Sequence, residues 1–86
     1  MSQITFLERY LQENRWSNKV HIMEIFHLSH SHHDKTWTIT RTAAYFGVSV
    51  ALVSENLKIA KASHTDEKIL ACRTREEALK KVNHAR

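Results

Sequence analysis

Two groups of side chains in this sequence have the types and spacing for chemistry. The first is His27, His30, His32, His33 and Asp34, four imidazoles and a carboxylate close together in the chain. Such groups are good zinc ligands. No second ligand pair with structural-zinc spacing follows, Cys72 is far off, and the adjacent His32 and His33 cannot easily both turn inward. The cluster therefore reads as part of a polar loop over 29–37 that can meet phosphates when protonated, and no metal or other cofactor is expected. The second group is Val50, Ala51, Ser54, Glu55, Asn56 and Lys58. Short side chains at Val50 and Ala51 would let a helix approach base edges and thymine methyl groups. Ser54, Glu55, Asn56 and Lys58 would supply donors and acceptors, with Glu55 able to accept from a cytosine amino group. No serine, cysteine or carboxylate pair forms a nucleophile or acid–base arrangement, so neither an enzyme nor a small-molecule substrate is expected. Cys72, between Ala71 and Arg73, reads as a small core residue.

The second group needs a rigid platform, and residues 38–61 read as two short helices meeting at a tight turn. Gly47, the only glycine, can take the left-handed conformation that stops the first helix, and the Ser49 hydroxyl can cap the second. Thr38 or Thr40 can open the first helix, and the second is expected from about Val50 to Ala62. Ala43 is small enough for close helix approach, while Phe46, Val48, Val53 and Leu57 fall where apolar side chains pack. This is a helix-turn-helix pattern. Phosphate contacts are expected from flanking groups, Lys35, Thr36, Thr38, Thr40, Arg41 and Lys61, together with Lys58. Within 35–61 four basic residues face one acid, a local balance of +3.

The run Thr-Ala-Ala-Tyr-Phe-Gly-Val-Ser at 42–49, followed by Val53-Ser54-Glu55-Asn56-Leu57-Lys58-Ile59-Ala60, resembles the helix-turn-helix of ParB/KorB-type partition proteins and their phage and plasmid relatives. The resemblance spans roughly a third of the chain. It implies sequence-specific binding of double-stranded DNA with the second helix in the major groove. By motif position Ser49, Val50, Ala51, Ser54, Glu55 and Lys58 would face the groove, and Ala43, Gly47 and Val53 would be structural. No nucleotide-binding motif precedes the run and no large dimerisation domain follows, so a complete partition protein is not expected. The implied role is an origin- or operator-binding module of a mobile element, acting in replication, partition or transcription. Helices that bind another protein, without DNA, are the alternative, and a metal-dependent nuclease using the histidines is a third reading.

The totals agree with a small basic helical protein. The 86 residues carry a formal charge of +4, a field that favours a polyanionic partner, and include no proline. The expected fold is all-α: one domain over 1–86, with a trihelical helix-turn-helix core, an extra N-terminal helix and one or two C-terminal helices. Ile4, Phe6, Leu7, Tyr10 and Leu11 give residues 2–15 one apolar face, with Ser2 or Thr5 as cap. Trp16 and Ser17 mark an expected break and new cap before a second, strongly apolar helix from Val20 to Leu28. Apolar on two sides, that helix suits a homodimer. Trp37 is expected to return to the core, 65–72 to form a short helix, and Thr74 with Glu77 to make a capping box for a last helix. A lone cysteine, no span-length apolar run and no signal-like N-terminus suggest a cytoplasmic protein with no membrane association. The chain stops within helical sequence, as a domain cut from a longer protein would.

Overall fold

The computed structural model describes residues 5–84 and is all-helical. In chain order the helices are α1 (Phe6–Gln12), α2 (Trp16–His33), α3 (Ile39–Phe46), α4 (Val50–Ser63) and α5 (Arg75–His84), with a 3-10 turn at Glu67–Ile69. Among the described residues there is no strand, and no helix is long and apolar enough to cross a membrane. Ser2 and Ile4 lie outside the described residues. Thr5 caps α1, its hydroxyl accepting from the Glu8 N–H at 3.1 Å.

The break between α1 and α2 is made by Glu13, not Ser17. One Glu13 carboxylate oxygen accepts the Asn14 and Arg15 N–H groups at 3.1 and 3.3 Å. A hydrogen bond from Asn18, with those backbone bonds, holds the carboxyl below its ordinary pKa. Ser17 sits inside α2, whose N-cap, Arg15, makes no side-chain cap bond.

The histidine-rich stretch also departs from the expected loop, because α2 continues through His33. A polar run is not a helix breaker, and the sequence has neither glycine nor proline there. The His30 ring lies 4.0 Å from Phe26 and 4.6 Å from Trp37, centroid to centroid, and its Nδ1 is 2.9 Å from the Phe26 carbonyl oxygen. It packs rather than dangles.

The α3–α4 connection follows the sequence reading. Thr38 caps α3, its hydroxyl accepting from the Arg41 N–H at 3.4 Å. Gly47 stops the helix at φ 70° and ψ 34°, which lets the Val48 N–H reach back to the Ala43 carbonyl at 3.0 Å. The Ser49 hydroxyl then accepts from the Leu52 N–H at 3.1 Å and opens α4. Downstream, 65–72 forms only the 3-10 turn. Asp66 accepts the Lys68 N–H at 3.0 Å, and Ile69 alone in that turn is buried. Thr74 caps α5 by accepting from Glu77 N–H at 3.1 Å, while Glu77 reaches back to the Arg73 N–H instead of that of Thr74.

Two apolar clusters share α2 as their spine. Val20, Ile59, Ala60, Ile69 and Ala78 join α2, α4, the 3-10 turn and α5, with Cys72 partly buried against them. Met23, Phe26, Ala43, Phe46 and Val53 join α2, α3 and α4, with α1 packed on through Phe6, Leu7 and Tyr10. Phe26 is the hub: its ring stacks on Tyr45 at 4.2 Å and meets Phe6, Phe46 and Trp37 edge-on. Trp37 returns to the core as expected, and its indole N–H donates to the buried Thr42 hydroxyl at 2.8 Å.

Candidate nucleic-acid interface

Helix α4 divides cleanly by face. Val53, Asn56, Ile59 and Ala60 are buried, whereas Ala51, Ser54, Lys58 and Lys61 are exposed, as is the cap Ser49. Val50, at the first turn, is 46% exposed. Turns of 3.6 residues place Ser54, Lys58 and Lys61 in one strip, with Val50 and Ala51 at its N-terminal end. Five of the six sequence-predicted reading residues thus share one accessible surface. Ser49 accepts a backbone N–H as a cap and keeps its own O–H to donate.

Two residues of the group sit differently from the expectation. Asn56, expected as an outward donor, is 2% exposed and belongs to the core. Its amide nitrogen donates to Met23 Sδ at 3.4 Å, and its oxygen accepts from Arg75 Nη1 at 3.3 Å. At position 56 the helical repeat points inward; the side-chain type alone suggests otherwise. Glu55 lies at the edge of the strip, and its carboxylate accepts from Arg75 Nη1 at 3.0 Å in an ion pair with side chains 40% and 22% exposed. Lys58 is engaged as well, donating through Nζ to Asn83 Oδ1. Arg75 also acts on α1: burial pushes the Tyr10 phenol above its ordinary pKa and the guanidinium pulls it the other way. Nothing in the sequence near 55–58 points to residues 20 and more positions away, so Arg75 and Asn83 escape a motif reading.

Most of the expected phosphate-binding residues, Lys35, Thr36, Thr38, Thr40 and Arg41, lie around the N-terminus of α3 with an acid among them, whereas Lys61 is in the last turn of α4. Asp34 Oδ1 accepts the Thr36 hydroxyl at 2.6 Å and the Thr36 N–H at 2.9 Å, and Oδ2 lies 3.5 Å from Arg41 Nη1. The Thr36 bonds, with Arg41 adding less, hold the Asp34 carboxyl below its usual range. With Asp34 included, residues 34–61 carry four cations against two carboxylates, +2 instead of +3. The Arg41 guanidinium also lies over the Trp37 ring, 5.6 Å from its centroid. Lys35, Thr40 and Lys61 are exposed, while Thr38 is occupied in capping.

Away from this face, His27, His64 and His21 have polar partners within the fold, while His32 and His33 are exposed. His27 Nδ1 is 2.7 Å from the Thr42 hydroxyl, and burial, with His30 nearby, lowers its pKa. Glu24, only 6% exposed, is 2.8 Å from His64 Nε2 at the end of α4, with His21 Nδ1 3.7 Å from its other oxygen. Among the described residues no three His, Cys, Asp or Glu side chains converge in a group that could hold a metal ion. Comparison with family models, curated proteins and solved structures finds no match to this chain. The resemblance to partition-type proteins therefore rests on residues 42–60 alone.

Proposed function

We propose that this chain binds specific double-stranded DNA, with α3, the Gly47 turn and α4 acting as a helix-turn-helix and α4 entering the major groove. The observation that carries the reading is the exposed strip of α4. It presents short and polar side chains, Ser49, Val50, Ala51, Ser54 and Lys58, on a helix whose opposite face is locked into both apolar clusters. Small residues admit the helix to base edges, and Lys58 and Lys61 give it the sign a duplex attracts. Arg41 and Lys35 supply phosphate contacts at the start of α3, and a +4 chain favours association with a polyanion. The biological setting we propose is a cytoplasmic, DNA-associated origin- or operator-binding module of a mobile element, acting as a homodimer on two half-sites.

The test is selection of duplexes from a random pool at two salt concentrations. An enriched inverted or direct repeat, with affinity falling as log–log slope near −0.9 per phosphate neutralised, is the expected result. No enriched sequence overturns the reading. A second reading, a protein-binding adaptor, is favoured by the exposed Leu11, Ile25 and Leu28 on α1 and α2. An apolar partner contact there would respond weakly to salt, which separates the two.

A further inference from the structure

Lys58, within the α4 strip, and Glu55, at its edge, are both held by α5. Arg75 fixes Glu55 through a 3.0 Å ion pair, and Asn83 accepts from Lys58. Arg75 is itself anchored, since the same Nη1 lies 3.3 Å from the oxygen of Asn56, a core amide bonded in turn to Met23. A lone glutamate on a helix surface moves among rotamers and must lose that freedom when it meets a base; one held against an anchored guanidinium has already lost it. The pairing also offsets the negative charge that would otherwise repel phosphates. It leaves Glu55 with acceptor sites to spare, because a carboxylate has about four and the guanidinium takes one. Asn83 plays the matching part for Lys58, whose ammonium keeps two further hydrogens to donate.

We infer that α5 sets the sequence preference of α4. Arg75 and Asn83 are positioning residues that aim Glu55 and Lys58, and the pair selected opposite them is G·C, with the cytosine amino group meeting Glu55 and guanine O6 or N7 meeting Lys58. This rests on the DNA-binding reading of α4 and adds to it the base chemistry and the helix that enforces it.

The experiment repeats the duplex selection with the full chain and with Glu55→Ala, Arg75→Met, Arg75→Lys and Asn83→Ala. The wild-type chain is expected to enrich a motif with a G·C pair whose preference over A·T falls about tenfold in Glu55→Ala. Arg75→Met lowers the preference at that same pair, Arg75→Lys restores most of it, and Arg75→Met with Glu55→Ala loses no more than Glu55→Ala alone. An Arg75 that only supports the fold would weaken binding to all sequences alike; an unchanged preference profile in folded Arg75→Met overturns the inference. Asn83 is exposed and outside the core, so Asn83→Ala serves as the test if Arg75→Met melts. Loss of preference at that same G·C pair supports the inference, and an unchanged profile overturns it. A wild-type chain that enriches nothing overturns the DNA reading itself, whereas an enriched motif retained by the α5 variants removes only the role of α5.

Discussion

At Gly47 the backbone has φ 70°, and a Cβ built there meets no atom within 4 Å. Any cost of a side chain is therefore conformational, not steric crowding. The left-handed region costs an ordinary L-residue about 1–2 kcal/mol, and a β-branched one more. Gly47→Ala should lower the urea midpoint by an amount equivalent to about 1 kcal/mol, Gly47→Val by more, and Gly47→Asn by the least, because asparagine tolerates this conformation. A Gly47→Val chain as stable as wild type would contradict the turn. The same physics makes the turn readable from sequence: a single glycine two residues before a serine pairs a helix stop with a helix cap. A second residue, His27, ties stability to pH. Thr42 receives the Trp37 N–H and has one hydrogen to give to His27 Nδ1, an arrangement that suits the neutral imidazole. Its folded pKa is lowered by burial, so on acidification the unfolded chain takes up a proton at the ordinary histidine value of about 6.5 before the folded chain does. The His27 contribution is full above that value and is lost as pH falls from it toward the lowered folded value. Thermal melts of wild type and His27→Asn, which keeps an acceptor near the δ position without titrating, should show the wild-type melting temperature falling more steeply between about pH 7 and pH 5.

At the scale of elements, capping chemistry is legible in the sequence and polarity misleads. Thr5, Thr38, Ser49 and Thr74 all cap the helices for which their hydroxyls and spacing suit them. A loop over 29–37 fails because histidines can tile the last turns of a helix when one of them, His30, packs on aromatic rings. What ends α2 is Asp34, and its bonds to Thr36 also restrain a collar that looks purely basic in the sequence. Long-range pairs such as Arg75 with Glu55 carry no local signature, which is why the candidate site is half legible: its exposed strip follows from helical period, its supports do not. Asp34 offers a test with a sign opposite to a simple contact deletion. Asp34→Ala frees Arg41 and removes a negative charge from beside the proposed phosphate contacts. Binding to mixed-sequence duplex should therefore tighten, and the log–log salt slope should steepen by about one phosphate. Weaker binding with a shallower slope would place the collar away from DNA.

For the whole molecule, the question is what the outer face of α2 does. α2 is buried on the side of Val20, Met23 and Phe26, yet Ile25 and Leu28, three residues apart and so on one face, are 43% and 55% exposed. Among the described residues they are, with Leu11 on α1, the large exposed apolar side chains outside α4. A stable dimer buries about 800 Å² per partner, more than these three side chains can supply alone. If the second copy docks here, its affinity in free solution should be weak, and the duplex should complete the assembly by holding two chains at adjacent half-sites, where their effective concentration is high. Sedimentation should then find a monomer at micromolar concentration without DNA and two chains on a duplex with both half-sites. Ile25→Glu with Leu28→Glu should leave binding to a single half-site unchanged, since neither residue is on the α4 strip, and should abolish cooperative occupation of the pair. Cooperativity that survives the double substitution would move the dimer contact elsewhere. Equal weakening on one half-site and on two would instead mean that α2 itself lies against the DNA.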